Sequence, residues 1–268
     1  MGDGRAPDGT LQVSFLAGPR GATVVAGLSC SGAIAARPTP WGCYLVAAAA
    51  SPVGSDRIEV DIGVGPGASA EVRSTGATLA RRGQRGDERS TQRVSAAVAD
   101  GGTLQWLVEP GIAAAGAYHL GEARISLGTH ARLAWREEIV LGRVGEVPGN
   151  WTASIAIERA GRPLLATAVG LGPASATWAL PSVTDGARAY CELVIVDPER
   201  GAGSWPGIAL ERDGARAVST PLAGPAIVIG AWGAHHRACR DALASLLVAV
   251  GAPPWLAADA AVRPGSAA

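Results

Sequence analysis

Acidic side chains at the ends of apolar segments are the groups in this chain best suited to chemistry. Residues 135–146 read WREEIVLGRVGE, in which Glu137 and Glu138 precede an apolar run and Glu146 follows it. Paired carboxylates can serve as general acid and base or as oxygen ligands of a metal ion. Adjacent residues of a strand point to opposite faces, so we expect that Glu137 and Glu138 do not both line one cleft.

The segment HHRAC, residues 235–239, is the best local candidate for a tight metal site. His235 and Cys239 are four residues apart, so on a helix they share a face, and imidazole and thiolate both suit nickel or zinc. Two ligands do not complete a site, and the apolar stripe of the same segment places Cys239 near a core. We therefore interpret the segment as an ordinary helix start, and His119 and His130 as isolated surface or satisfied residues.

Sequence motifs of common enzymes are absent. The chain contains neither a GxSxG nucleophile elbow nor an HExxH zinc motif. The glycine-rich segment GVGPGA (63–68) contains a proline and leads into a strand pattern, so it is interpreted as a turn and not as a phosphate-binding loop. The residues alone therefore do not indicate a catalytic site.

The elements that must position these residues are predicted to be strands. The segments DRIEVDIGVGPGASAEVRST, RVSAAVADGGTLQWLVEP and ARISLGTHARLAWREEIVL each contain a strand pattern, a glycine-containing turn and a second strand pattern. Apolar residues then fall at every second position, which is typical of a half-buried strand. Because no helical pattern separates the strands, we expect antiparallel layers and not βαβ units.

One segment has helical spacing. From His235 to Val250 apolar residues recur every three to four positions, and Gly251 ends the pattern. The chain is thus predicted to be a single domain over residues 1–268, mainly β with a short C-terminal α-helix. Residues 1–9 and 257–268 are expected to be flexible ends.

Composition excludes several classes of partner. The 23 basic and 23 acidic residues cancel, which argues against binding to nucleic acid or to an anionic membrane through bulk charge. The sequence has no signal-peptide pattern and no apolar run long enough to span a bilayer. Four scattered cysteines without a CxxC pair favour a reducing cytoplasmic location over a disulfide scaffold.

The order of three segments carries a family resemblance. SDRIEVDIGVGPGASAEVRSTGATLARRG, STQRVSAAVADGGTLQWLVEPGIAAAGA and RISLGTHARLAWREEIVLGRVGE, taken in that order, resemble the urease accessory protein UreD, called UreH in some bacteria. The resemblance covers roughly residues 10 to 250. It implies a mainly β fold with helix-like stacking of strand layers, and a protein that is not an enzyme.

The resemblance also implies partners and a cargo. A member of this family would bind UreF, join the GTPase UreG through UreF, and dock on apo-urease subunits to help load nickel. The expected state is a hetero-oligomer that binds nickel transiently and holds no tightly bound cofactor. Ligands that release the ion quickly suit such a passage, which favours carboxylates and water over a thiolate–imidazole cage.

Specific residues inherit roles through the same resemblance. Asp56 matches a family aspartate in the pattern Gly54-Ser55-Asp56, and Gly142-Arg143 with Gly145-Glu146 match a Gly-Arg and Gly-Glu signature. The candidate nickel ligands are four carboxylates: Asp56, Glu137, Glu138 and Glu146. The residues expected to shape the turn or the partner surface are Gly142, Arg143 and Gly145. A purely structural interpretation is equally open, in which Arg143 and Glu146 pair across the loop.

Departures from the family pattern bear on the nickel route. Only Val144 separates Gly-Arg from Gly-Glu, and Ser74, Thr75 and Thr78 match a threonine-rich family region only loosely. They leave open a shifted set of nickel ligands or a mainly structural role. A separate alternative is a β-rich small-molecule enzyme with an unrecognised active site. It predicts a deep pocket with convergent carboxylates of perturbed pKa.

Overall fold

Two stacked β-sheets, one α-helix and a short 3-10 helix are the regular elements of the described residues. The structure, a computed structural model, describes residues 8–85, 88–257 and 260. The first sheet has seven strands, and its spatial order is β14-β13-β11-β8-β5-β1-β2. These strands are β1 (Gly9–Ala17), β2 (Thr23–Gly32), β5 (Arg57–Val64), β8 (Ser90–Val98), β11 (Tyr118–Leu127), β13 (Asn150–Arg159) and β14 (Arg162–Leu171).

The second sheet has eleven strands, and its main order is β16-β17-β18-β15-β12-β9-β6-β4-β3. Its members are β3 (Ile34–Thr39), β4 (Gly42–Ala47), β6 (Ser69–Ser74), β7 (Thr78–Ala80), β9 (Thr103–Trp106), β10 (Gly111–Ala113), β12 (Arg132–Leu141), β15 (Ala189–Val196), β16 (Ile208–Arg212), β17 (Ala215–Pro221) and β18 (Ala226–Gly233). A short 3-10 helix spans Pro19–Gly21, and the α-helix α1 spans His236–Ala249.

The central strands wind as a solenoid. Chain segments alternate between the sheets, so that β5, β8 and β11 lie side by side in the first sheet while β6, β9 and β12 lie side by side in the second. Within each of these sets neighbouring strands are parallel. Antiparallel pairs lie towards the sheet edges, as in β1 with β2 and β13 with β14.

This pairing confirms the mainly β, helix-like stacked fold but corrects the expectation for the three strand–turn–strand segments. Their two strands do not pair edge to edge as antiparallel hairpins. Each turn is an arch that carries the chain from one sheet to the other, and the two strands face each other across the core. The sequence pattern is the same in both cases, because a period of two buries one face of each strand whether its partner lies beside it or opposite it.

The arches stack directly on one another. The amide of Gly65 donates to Phe15 O, that of Ala99 to Val64 O, and that of Gly128 to Val98 O, at 2.8–2.9 Å. A side chain at Gly128 would come within 2.6 Å of the backbone nitrogen of Asp100. Glycine is required there because two turns approach more closely than a Cβ atom permits.

Three apolar clusters form the core of the described residues, and the two larger ones hold the layers together. Alternate residues of both sheets, among them Phe15, Leu104 and Leu133, form the core between the sheets. The opposite face of the second sheet packs on the apolar side of α1, including Leu243 and Leu246. The C-terminal helix predicted from its spacing is therefore confirmed, and it begins one residue later and ends one residue earlier than the predicted range.

The predicted flexible ends fall largely outside the described residues, namely at 1–7, 258–259 and 261–268. Gly9, which was assigned to the flexible N-terminal end, instead begins β1 and pairs with Gly32 and Ile58. Among the described helices, none has the length and apolar character needed to cross a bilayer.

Candidate functional site

A gap in the second sheet lies beside the Glu137-Glu138 pair. Strand β9 pairs with residues 132–135 of β12, and β10 pairs with residues 139–141 of the same edge. Along this edge, residues 136–138 face a loop, 107–110, in place of a strand. The loop is held by the Arg136 guanidinium, which donates to Leu107 O at 3.2 Å and to Val108 O at 3.1 Å.

A small cavity occupies the gap. It has a volume of about 60 Å³ and reaches residues on both faces of the sheet, with His119 and Trp151 on the inner side and Glu109 on the helix side. Glu137 and Glu138 both border it. The expectation that they do not line one cleft is therefore wrong. Their side chains do point to opposite faces, but the missing stretch of strand connects those faces.

The inner side of the gap holds a group that we call the interior cluster: Glu137, Glu192, Tyr190, His119 and Trp151. Glu137 lies directly opposite Glu192 in the pairing of β12 with β15, and the Tyr190 hydroxyl donates to Glu192 Oε2 at 2.5 Å. Burial and the negative charge of Glu192 raise the pKa of Glu137 to about 7, against the effect of the nearby Trp151 indole N–H. Burial raises the pKa of Glu192 as well.

His119 is a buried residue of this cluster and not a surface histidine. Its Nδ1 lies 2.9 Å from the Ser90 hydroxyl, and its ring lies 4.1 Å from the Trp151 ring, centroid to centroid. Within the described part of the chain its Nε2 has no hydrogen-bond partner. Burial lowers the pKa of His119 to about 4, so the imidazole is neutral at physiological pH and suited to hold a metal ion. His130, by contrast, is an exposed surface residue, as predicted, and its Nδ1 lies 3.1 Å from a carboxylate oxygen of Asp100.

The outer side of the gap holds a second group, which we call the helix cluster: Glu138, Arg136, Arg240, His236 and Glu109. Glu138 is almost fully buried and accepts hydrogen bonds from Arg240 Nε at 2.8 and 2.9 Å and from His236 Nε2, which lies 3.1 Å away. Burial opposes ionisation of Glu138, but these donors and the charge of Arg136 lower its pKa to about 2. Arg240 also reaches Glu109 Oε2 at 3.2 Å.

The helix start is built differently from the pairing considered in the sequence. His235 is not helical but occupies the N-cap position, and His236, the first helical residue, is the imidazole that contacts the cluster. Cys239 is fully buried against β15, as its apolar stripe predicted.

Asp56 lies in a turn and is used as a cap. Its Oδ2 accepts hydrogen bonds from the Ser51 hydroxyl at 2.7 Å and from the Val53 amide at 2.9 Å, which closes the loop before β5. The structure does not bring Asp56 to the cavity beside Glu137.

Glu146 and Arg143 pair across their loop. The Arg143 guanidinium contacts Glu146 Oε1, and the Arg143 amide donates to Glu146 Oε2 at 3.0 Å. The side-chain and backbone hydrogen bonds from Arg143 hold the pKa of Glu146 at about 2. Gly142 and Gly145 have φ values of +81° and +79°, a conformation that glycine adopts without strain. Of the four candidate carboxylates, only Glu137 and Glu138 therefore meet at one place.

A second cavity adjoins the first between the sheets. It measures about 180 Å³, and its lining includes the partly buried Ser74 and the exposed Thr75. Three residues line both cavities: Thr78, Gln92 and Val108. The Ser74 hydroxyl also accepts a hydrogen bond from the Glu109 amide at 2.9 Å. The two connected cavities, which we call the interior path, therefore meet the same loop, 107–110.

Sequence reasoning missed most partners of Glu137 and Glu138. One signal was available, since Glu192 is a charged residue inside the otherwise apolar strand segment YCELVIV, whereas Arg136 only extends the charged run with Glu137 and Glu138. A charge within a buried strand requires a partner, which neither motif spacing nor periodicity identifies.

Comparisons with known proteins place the chain in a family. The family model described as UreD urease accessory protein matches residues 8–265. The chain is 37% identical to urease accessory protein UreD 3 of Streptomyces griseus over 84% of this chain and 89% of the relative. It is also 37% identical to a urease accessory protein UreD of Streptomyces coelicolor, over 85% of this chain and 92% of the relative. The chain therefore belongs to the UreD family of urease accessory proteins.

Proposed function

We propose that this protein is a non-enzymatic component of urease maturation that passes nickel to apo-urease in a complex with UreF and UreG. Membership of the UreD family supports a role in urease maturation. The observation that carries the passage of nickel is the gap in the second sheet, where an interior path between the sheets opens toward the helix side between Glu137 and Glu138.

The path offers a sequence of weak ligands. It begins at the hydroxyls of Ser74 and Thr75, continues past Thr78 and Gln92, and reaches His119 and Glu137 at the gap. Oxygen donors with one neutral imidazole bind a nickel ion without the tight hold of a thiolate cage. Sites of this kind favour entry and release, which transfer requires.

The two ends of the gap differ in charge. The interior cluster carries closely spaced carboxylates without a described basic partner, whereas Glu138 in the helix cluster is neutralised by two arginines. A divalent cation relieves the repulsion between Glu137 and Glu192. We therefore assign temporary binding of nickel to the interior cluster.

A loop at the same end of the sheets is the proposed contact for UreF. Val144 is fully exposed between Gly142-Arg143 and Gly145-Glu146, and Val147 is largely exposed. Leu180 and Val183 add exposed apolar side chains on the segment after β14, whose beginning is tied to the first residue of β13 by a hydrogen bond from the Ala174 amide to Asn150 Oδ1 at 2.6 Å. Exposed apolar residues with charged neighbours are typical of a protein interface.

The alternative of a small-molecule enzyme receives less support. Perturbed carboxylates do converge at the gap, but the cavity there has a volume of about 60 Å³. Pockets for small-molecule substrates generally measure roughly 300–1,000 Å³. The space suits a metal ion with water and not an organic substrate.

Activation of urease tests the nickel path. Wild-type protein, Glu137→Gln and His119→Gln are co-expressed with UreF, UreG and apo-urease of the same organism, and nickel per urease active site is measured. Both variants are expected to lower nickel incorporation while still joining the complex. Glu158→Gln is the matched control, because this exposed carboxylate of β13 lies outside the cavity lining. Full nickel loading by both interior variants would refute the path.

The partner assignment has its own test. Tagged protein is purified with its co-expressed partners and analysed by size exclusion. Wild-type chain is expected to elute with UreF and UreG, and Val144→Asp is expected to lose UreF. A wild-type chain that elutes alone would refute the proposed complex, and a Val144→Asp variant that retains UreF would remove the loop from the interface.

A further inference from the structure

Three potential metal ligands converge at the start of α1, apart from the interior cluster. One ligand atom each of Glu138, Cys191 and His236 lies within 4.8 Å of the other two. Glu138 and Cys191 are directly opposite in the antiparallel pairing of β12 with β15, and His236 is the first helical residue above them. Cys239 follows one turn later, with its thiol in hydrogen-bonding reach of Cys191.

We propose that Glu138, Cys191 and His236 form a binding site for a borderline divalent cation, nickel or zinc. The biological role of this site rests on the proposed function. The inference deepens that function, because it adds a second, tighter metal-binding site on the helix side of the gap. One carboxylate, one thiolate and one imidazole suit these metals, whereas calcium and magnesium take oxygen ligands. The site shares Glu138 with the four carboxylates expected from sequence, but it also needs the thiol of Cys191 on β15 and the imidazole of His236 on α1.

Arg240 is the cation that competes with a metal ion for Glu138. Its guanidinium contacts both carboxylate oxygens of Glu138, and its terminal nitrogen also reaches Glu109. Because Glu109 is 41% exposed and Glu138 only 1%, Arg240 can keep an ionic partner by turning outward to Glu109. That movement frees Glu138 for the metal.

Metal binding changes the protons and charges of the cluster. The bound cation carries two positive charges, and Cys191 binds as thiolate after releasing one proton to solvent. Glu138 and Cys191 then supply two negative charges, and His236 binds as neutral imidazole. Arg240 remains paired with Glu109, and Arg136 keeps its hydrogen bonds to the Leu107 and Val108 carbonyls, so the cluster as a whole gains one positive charge.

Access comes from the helix start. The His236 side chain is 24% exposed, while Cys191 is fully buried. A metal ion therefore meets His236 first and the buried ligands afterwards. Glu138 borders the cavity in the sheet gap, which connects this site to the interior path.

Metal titration of the full-length, tag-free protein tests the site. Ni(II) is added to reduced protein, and binding is followed by calorimetry and by the thiolate-to-nickel charge-transfer absorption. Wild-type protein is expected to bind one sulfur-ligated ion that Zn(II) displaces and Mg(II) does not. His236→Ala and Cys191→Ser are each expected to weaken binding by about tenfold or more, and Cys191→Ser to abolish the absorption.

Matched variants keep the result interpretable. Cys43→Ser removes a buried thiol from the core between the sheets and is expected to leave metal binding unchanged. Arg240→Gln removes the competing cation and is expected to tighten binding. If Cys191→Ser fails to fold, the partly exposed His236 still gives the answer through His236→Ala. Binding without sulfur absorption, or binding that His236→Ala leaves unchanged, would overturn the proposal.

The outcomes separate this inference from the proposed function. If the titration refutes the helix-side site, the proposals for the interior path and the UreF contact are unaffected, because their tests use Glu137, His119 and Val144. Conversely, a chain that binds metal through sulfur but joins no maturation complex would support the site and refute the proposed function.

Discussion

Glu137 and Glu138 are neighbours in sequence, yet their surroundings drive them to opposite protonation behaviour. Glu137 faces the space between the sheets, where burial and a second carboxylate raise its pKa to about 7. Glu138 faces α1, where hydrogen bonds from His236 and Arg240 outweigh burial and lower its pKa to about 2. The comparison shows that the sheet separates two electrostatic environments, and that the gap beside β12 is where they meet.

The two clusters also differ in what they contribute to the fold. In the helix cluster, Glu138 ties β12 to α1 across about a hundred residues of chain, through partners 98 and 102 positions away. In the interior cluster, Glu137 and Glu192 repel each other. We infer that the helix cluster stabilises the domain, while the interior cluster lowers its stability in exchange for a cation-attracting site.

The largest effect is expected from Glu138→Gln. The substitution leaves Arg136 and Arg240 without their buried counter-charge, and loss of one partner of such a group costs about 3–5 kcal/mol. Chemical denaturation followed by tryptophan fluorescence measures the change. Glu158→Gln provides the exposed reference and is expected to match wild type. A loss of stability as small as that of the reference would mean that the arginines find other partners.

The next largest effect is expected on the stability of the fold at acidic pH and depends on His119. The pKa of His119 is about 4 in the folded state and 6.5 in the unfolded state. Between these values the unfolded chain binds more protons, so the contribution is complete above pH 6.5 and is lost as the pH falls toward 4. The loss amounts to on the order of 3 kcal/mol. His119→Asn is expected to show a flatter pH dependence of unfolding over this range.

His130 supplies the comparison for that experiment. It is exposed, so His130→Asn is expected to retain the wild-type slope between pH 4 and 6.5. Equal slopes for His119→Asn and wild type would place the proton uptake elsewhere.

An effect of similar size and opposite sign is expected for Glu137→Gln. The folded-state pKa of about 7 lies above the unfolded value of 4.5, so the folded protein binds more protons in this window. Stability of the wild type therefore falls as the pH rises from 4.5 through 7. The variant, which does not ionise there, is expected to be more stable above pH 7 by on the order of 3 kcal/mol and equal below pH 4.5. Thermal unfolding at pH 4.5 and 8 measures the difference, and a pH-independent difference would contradict the assignment.

The smallest effect is expected for the exposed pair. Glu146→Gln removes the contact with Arg143 on a solvent-exposed loop, and pairs of this kind contribute little to stability. Its melting temperature is expected to match wild type. Gly142→Ala tests the same loop through its backbone, because φ is +81° and a Cβ would approach the Arg188 guanidinium to 2.5 Å. This variant is expected to be destabilised, which would separate the role of the turn from that of its ion pair.

Much of the fold could be predicted because its signals are local. Alternation in segments such as RVSAAVADGGTLQWLVEP identified strands, and apolar spacing identified α1. The pairing of the strands could not be predicted from the sequence in the same way, because an arch and a hairpin show the same alternation of apolar and polar residues. At the site, the opposite orientation of Glu137 and Glu138 followed from strand geometry, but the shared cavity did not. The gap depends on where β9 ends and β10 begins beside β12.

The sequence by itself determined the strand content, the C-terminal helix and the opposite orientation of adjacent strand residues, because these depend on short-range periodicity. It also determined the family, because that depends on the order of segments. Only the tertiary structure decided the parallel stacking, the gap and the partners of each carboxylate. Those features arise from contacts between residues far apart in the chain, such as Glu138 with Arg240. A carboxylate acquires its pKa and its ligands from that three-dimensional environment, which no local pattern encodes.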